Sequence, residues 1–227
     1  METPGMLTLL AQDTASTSVA GAFFIQRHPA TGDVEWLGSG ITWLLMAMSV
    51  VCLALLVTGA LRLRRSETVP GDLVAHARSG REAAEEAAKT QTLFGRVLAC
   101  ALAELVHSDD AAIRAAEQEG EAALLRRMRA IEPLSIVGNV SPMIGLFGTV
   151  YGMIVAFREI VASGGTPDAV GLAAGIGTAL TTTFWGLVVA IPALAGHALL
   201  RNRAEGLVIE AIREAEAIVE DLGTGAG

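Results

Sequence analysis

The sequence predicts an all-α membrane protein with three transmembrane helices, the second and third extending into the cytoplasm as long helices. Three observations carry this prediction. The 227 residues are 52% hydrophobic and only 18% charged, which is too apolar for a soluble domain of this length. The apolar residues are gathered into three uncharged runs: Trp36–Leu61 between Glu35 and Arg62, Pro133–Phe157 between Glu132 and Arg158, and Ala169–Leu200 between Asp168 and Arg201. Each reaches the roughly 20 residues needed to span a bilayer core. The basic residues, finally, are sided. Of sixteen Lys and Arg, eleven lie between Arg62 and Arg129 and three follow Leu200, leaving only Arg27 and Arg158 elsewhere. The positive-inside rule therefore puts the N-terminus outside and the central segment and C-terminus in the cytoplasm.

Residues 1–35 form a mixed outer segment. Its apolar piece "MLTLLA" is too short for a signal-peptide core and no basic region precedes it, so the first span, 36–61, is expected to serve as an uncleaved insertion signal. "AGAFFIQ" suits the outer interface, and Trp36 and Trp43 suit an aromatic anchor there. The central segment, 62–132, is rich in Ala, Glu and Arg and so strongly helix-forming, with early breaks at "SETVPGD" and around Gly80. Ser108 followed by Asp109 and Asp110 reads as an N-cap with acidic first-turn residues. From there a helical apolar stripe (Ile113, Ala116, Leu124, Met128, Ile131) runs without a turn signal into the second span, 133–160, with Pro133 a candidate kink. Residues 161–168, "VASGGTPD", read as a short outer turn, making the second and third spans an antiparallel hairpin. The third span, 169–200, continues into a cytoplasmic C-terminal helix, 201–227, whose broad apolar face includes Leu207, Ile212 and Val219. Cys52 and Cys100 fall in different compartments under this topology and cannot pair.

The membrane runs carry the candidate chemistry. At about 100° per residue, Gly138, Pro142, Gly145, Thr149, Gly152 and Ala156 share one face of the second span. Gly175, Ala179, Thr183, Gly186, Ala190 and Ala193 share one face of the third. Glycine costs about 1 kcal/mol in a helix interior, so stripes like these imply close helix–helix approach in the membrane. Beside the second stripe stand Thr178 and Thr182, with Thr181 one step further round. A lone membrane threonine is usually satisfied by bonding back to its own helix; of this cluster, Thr181 is the residue expected to do only that. Thr149, Thr183, Thr178 and Thr182 are the candidates for a polar pathway.

No Asp, Glu, Lys or Arg lies inside the three uncharged runs, and His197 sits at the cytoplasmic edge of the third. A proton relay normally needs an ionisable group, so any titrating carboxylate is expected from another chain; Glu159, at the outer end of the second span, is a candidate for an entrance. His28, His76 and His107 have no ligand spacing, and neither a metal site nor a cofactor is expected. There is no phosphate-binding loop and no basic, aromatic-interleaved patch for nucleic acid. Enzymatic small-molecule chemistry is not expected.

"PLSIVGNVSPMIGLFGTVYGMIVAF" and "GLAAGIGTALTTTFWGLVVAIPALAGHALL" resemble the MotA/TolQ/ExbB proton-channel family, most closely its ExbB/TolQ branch, over about 126–203. That resemblance implies a pentamer of this chain in the bacterial inner membrane, with a periplasmic N-terminus. Inside it would stand ExbD/TolR-like single-span partners whose transmembrane aspartate carries protons, with work delivered through a TonB-like or TolA-like arm. It also implies pore-facing threonines at Thr149 and Thr183. Where relatives often place a glutamate before the second threonine, this chain has Thr178. A TolQ-like role in envelope integrity, or a membrane scaffold without ion flux, are the alternatives.

Overall fold

The computed structural model describes residues 36–162, 164 and 169–224. The segment 1–35, with Arg27 and His28, most of the turn 161–168 and the last three residues lie outside the described residues. Seven helices make up the described chain: α1 Trp36–Arg62, α2 Arg65–Thr68, α3 Gly71–Ala77, α4 Arg81–Ala88, α5 Leu93–Glu104, α6 Asp109–Ala162 and α7 Ala169–Thr224. No strand occurs among the described residues. Helices α1, α6 and α7 are each long and apolar enough to cross a membrane.

Local chemistry sets the boundaries. The side chain of Ser108 accepts a hydrogen bond from the Ala111 N–H at 3.1 Å, satisfying one of the donors that a helix start leaves unpaired. Asp109 and Asp110 occupy the first turn of α6. Thr92 caps α5 in the same way, accepting from the Gly95 N–H at 3.0 Å. Gly80, which precedes α4, adopts a φ of 149°, a backbone state that favours glycine. The "RSGRE" break therefore falls where the sequence places it. Helix α6 stays helical on both sides of Pro133 and Pro142, and α7 accommodates Pro192. At each the lost N–H leaves one carbonyl without its helical donor.

The chain divides into two compact units, to both of which α1, α6 and α7 contribute. One holds α1 as far as Val51 with Val137–Pro192 and is described below. The other holds Cys52–Ile136 and the chain from Ala193 onwards. Its core is built from α3, α4 and α5 on the lower half of α6 and the far half of α7. Phe94, Val97 and Leu98 pack with Ala112, Ala116 and Ala123 of α6 and with Ala211, Ala215 and Ile218 of α7. The alanines recur four or seven residues apart, so each helix keeps one narrow face buried. Gly120 lies against the Ile212 side chain. Two arginines tie the ends together: Arg78 pairs with Glu214 at 2.6 Å, and the Arg203 Nε donates to the Leu63 carbonyl at 2.8 Å. Both cysteines are free.

Two outcomes test this unit. Phe94 is wholly buried, so Phe94→Ala should cost about 3–5 kcal/mol and lower the melting temperature by roughly 6–15 °C, read by thermal unfolding. Burial, then Glu117 and Glu220, push the Glu216 carboxyl above the usual glutamate range, against the attraction of Arg213. A raised folded-state value means the protonated form is favoured by the fold. That stabilisation is present below the ordinary glutamate range and is lost as pH rises through the raised value. Glu216→Gln should raise the melting temperature at pH 7 and change it little at pH 4; the reverse pattern would contradict this.

Candidate functional site in the helix hairpin

Within the first unit, α6 and α7 run antiparallel with their backbones in near contact. A Cβ added at Gly145 would lie 3.0 Å from the Thr182 carbonyl oxygen, 3.1 Å from the Thr183 Cα and 3.4 Å from the Gly186 Cα. One added at Gly152 would lie 2.6 Å from the Ala179 nitrogen and 2.7 Å from the Gly175 oxygen. Gly186 faces the Ser141 carbonyl, and Gly175 faces the Ala156 backbone. The small residues thus make the seam of the hairpin, and Gly138, Gly145, Gly152, Gly175, Ala179, Gly186 and Ala190 are all buried. Such spacing allows dispersion contacts between backbones, which is what drives helix association where lipid is as apolar as leucine.

The seam keeps Gly138, Gly145, Gly152 and Ala156 of the stripe that the sequence suggests on α6 and shifts by one residue at the other two positions. The buried positions are Gly138, Ser141, Gly145, Gly148, Gly152 and Ala156, a spacing of three and four that marks a left-handed, coiled-coil-like crossing. Ser141 and Gly148 therefore stand at the centre, with Pro142 and Thr149 at the margin. Ser141 is fully buried, and its hydroxyl donates to the Val137 carbonyl at 2.6 Å. Neither Ser141 nor Gly148 stands out from the composition. The alternating spacing is the signal that identifies them.

The threonines separate accordingly. Thr182 is 0% exposed and packs its side chain against Gly148. Its hydroxyl bonds back to the carbonyls of Thr178 and Ala179, at 3.1 and 3.0 Å. The back-bonding expected at Thr181 is thus found at Thr182, because Thr182 is the residue whose helical angle faces α6. Thr178 is also buried, at 6%, so within this chain neither Thr178 nor Thr182 presents an open polar surface. Thr149 and Thr183 do: both are half-buried. Thr149 donates to the Leu146 carbonyl of its own helix at 2.7 Å. Thr183 instead reaches across the hairpin, donating to the Gly145 carbonyl at a long 3.3 Å. Gly145 lies one turn before Thr149, so the seam brings these two hydroxyls to neighbouring turns. Glu159 packs its side chain against Gly171 at the start of α7.

Around these groups the outer faces are greasy. Met143, Leu146, Phe147, Val150 and Ile154 of α6, and Leu180, Phe184 and Ile191 of α7, are all exposed in the single chain. A hydrophobic surface of this extent is stable only against lipid or other helices. What the arrangement offers chemically is a pair of hydroxyls at the edge of a tightly packed hairpin, with no ionisable side chain on the seam between Gly138 and Ala156.

These features define a helical membrane protein whose second and third apolar helices form a small-residue hairpin edged by threonines. The model of the MotA/TolQ/ExbB proton channel family matches residues 89–212, more than half of the chain, and the chain belongs to that family. Among its relatives, the biopolymer transport protein exbB1 of Vibrio cholerae is 45% identical over 67 residues, 30% of this chain and 29% of that one. The Tol-Pal system protein TolQ of Pseudomonas aeruginosa is 40% identical over 75 residues, 33% of this chain and 32% of that one. ExbB of Salmonella typhimurium is 48% identical over 61 residues, 27% and 25% of the two chains. The matched stretches thus span a third or less of these relatives.

The Gly148–Thr182 contact gives a size-swap test. Gly148→Ala should destabilise the protein by about 1–3 kcal/mol through overpacking, and adding Thr182→Gly should recover part of that loss, since the removed side chain is the one in the way. Thermal stability in detergent reads both. A double variant whose loss equals the sum of the two single losses would show that these residues do not meet.

Proposed function

We propose that this chain is an ExbB/TolQ-like subunit of a motor driven by the proton-motive force across the bacterial inner membrane. In this reading it has no enzymatic activity. It assembles as a homopentamer with the N-terminus periplasmic and the C-terminus cytoplasmic. The pentamer encloses single-span ExbD/TolR-like partners, and the aspartate of a partner carries the proton. The resulting motion reaches the periplasm through a TonB-like protein and powers TonB-dependent transport.

The observation that carries the reading is the state of Thr149 and Thr183 in a family member whose three apolar runs hold no Asp, Glu, Lys or Arg. Both hydroxyls spend their only proton on a backbone carbonyl, at 2.7 and 3.3 Å. Each is left with lone pairs that accept from a protonated carboxyl. To meet an ionised carboxylate the hydroxyl must turn and donate instead. The long Thr183–Gly145 bond is weak at that distance, so the turn costs little. A pathway lined by such groups can serve a carboxyl in both forms and trap neither. A fixed arginine would depress the carboxyl's pKa and hold it charged. One charge crossing 100 mV releases about 2.3 kcal/mol, so useful work takes several protons per cycle. In this reading Glu159, whose side chain packs beside Gly171, serves as the periplasmic entrance.

The match to a Tol-Pal protein supports a second reading, in which the same machinery drives a TolA-like arm for envelope integrity. A scaffold without ion flux has no observation that favours it.

Thr149→Val and Thr183→Val keep shape and remove the hydroxyl. Each should leave the mass of the assembled complex unchanged and cut proton-driven output by roughly tenfold or more, the equivalent of one lost charge-assisted hydrogen bond in the rate-limiting state. Full output from both variants would remove these threonines from the pathway.

A further inference from the structure

The second unit contains a basic pocket of about 450 Å³ where the end of α1 meets α5 and α6. Arg62, Arg96, Arg126 and Arg127 line it, together with apolar side chains that include Leu55 and Ile131, and no carboxylate contributes to its wall. Glu119 is the nearby acid. It accepts from Arg126 at 2.6 Å and lies 3.9 Å from the Arg96 Nε. Among the described residues, one carboxylate therefore stands against four guanidinium groups. The Arg96 Nε is buried and makes no hydrogen bond among the described residues. Burial, and then the like charges of Arg96 and Arg126, push Arg127 below the usual arginine range. Arginine does not give up its proton in proteins, so this crowding favours a bound anion. Buried donors left unpaired are costly, and a guanidinium fork matches a phosphate in geometry and charge.

The position of the pocket narrows the anion further. Leu55 and Arg62 belong to the last turns of α1, the first apolar helix. Ile131 lies two residues before Pro133, where the second apolar run begins. Taking those runs as membrane spans, the pocket lies at the depth of lipid headgroups, where basic residues meet anionic lipid. Its wall is divided to match: guanidinium groups for a phosphate and apolar side chains for the carbons attached to it. A free phosphate would have no use for the second part. We propose that the pocket binds the phosphate headgroup of an anionic membrane phospholipid, whose acyl chains run along the apolar residues of α1.

The test uses the full chain in its purified assembly, stripped of lipid and reloaded with phosphatidylglycerol or phosphatidylcholine, with adducts counted by native mass spectrometry. The wild type should retain phosphatidylglycerol at least roughly tenfold more tightly than phosphatidylcholine, the scale of one charge-assisted contact. Arg96→Gln with Arg127→Gln should abolish that preference, Arg127→Lys should keep part of it, and Arg114→Gln, outside the pocket, should keep all of it. Millimolar inorganic phosphate should fail to displace the lipid. Equal retention of the two lipids by the wild type, no adduct with either, or an unchanged preference in the double variant would overturn the proposal. Displacement by inorganic phosphate would overturn the lipid source in favour of a soluble ligand. Should the double variant fail to assemble, the wild-type lipid preference and Arg127→Lys decide. None of these readings depends on whether protons pass through the hairpin.

Discussion

The close approach of the α6 and α7 backbones is the constraint on which the membrane half of this protein depends. Gly145 meets Thr183 and Gly186, and Gly152 meets Gly175 and Ala179, at distances where an added methyl group would strike backbone atoms. In lipid there is little hydrophobic gain from bringing helices together, so contact has to come from fit and from a few hydrogen bonds. The seam supplies the fit, and the Thr183–Gly145 bond is an interhelical hydrogen bond made across it. Because the seam takes the small residues for itself, the large apolar side chains are turned outward, towards lipid or neighbouring helices. The same rotation leaves Thr149 and Thr183 at the margin, half-buried. Any residue large enough to part the helices would move the threonines as well.

Much of this was legible in the sequence because the underlying signals are one-dimensional. The three uncharged runs, the glycine and alanine periodicity, the Ser108 cap and the break at Gly80 are all properties of consecutive residues. What the sequence left open is rotation. Thr149 and Gly148 differ by one step of the helix, as do Thr181 and Thr182, and composition does not say which step faces the partner helix. The answer depends on the supercoil of the pair: alternate spacings of three and four bring Ser141, Gly148 and Thr182 into the seam. The arginine pocket was illegible for a different reason. Arg62, Arg96 and Arg127 come from three helices and share no pattern until the fold assembles them.

The two units have complementary chemistry. The hairpin seam between Gly138 and Ala156 carries hydroxyls and no charge, which suits a surface that must let a carboxyl pass in either protonation state. The other unit carries its charge in ion pairs such as Arg78–Glu214 and in a crowded arginine pocket, which suits a firm hold at the membrane surface. The family assignment is consistent with both, and the threonines are the feature that ties the assignment to particular atoms.

The central claim is that this chain supplies only half of a proton pathway and that the titrating carboxylate belongs to another polypeptide. Proton flux into sealed vesicles tests it most directly, with the purified chain reconstituted alone and together with a single-span, aspartate-bearing partner. Flux should stay at the lipid background for the chain alone, rise clearly with the partner, and return to background when the partner's membrane aspartate is changed to asparagine. Equal flux from the chain alone and from the complex would contradict the claim.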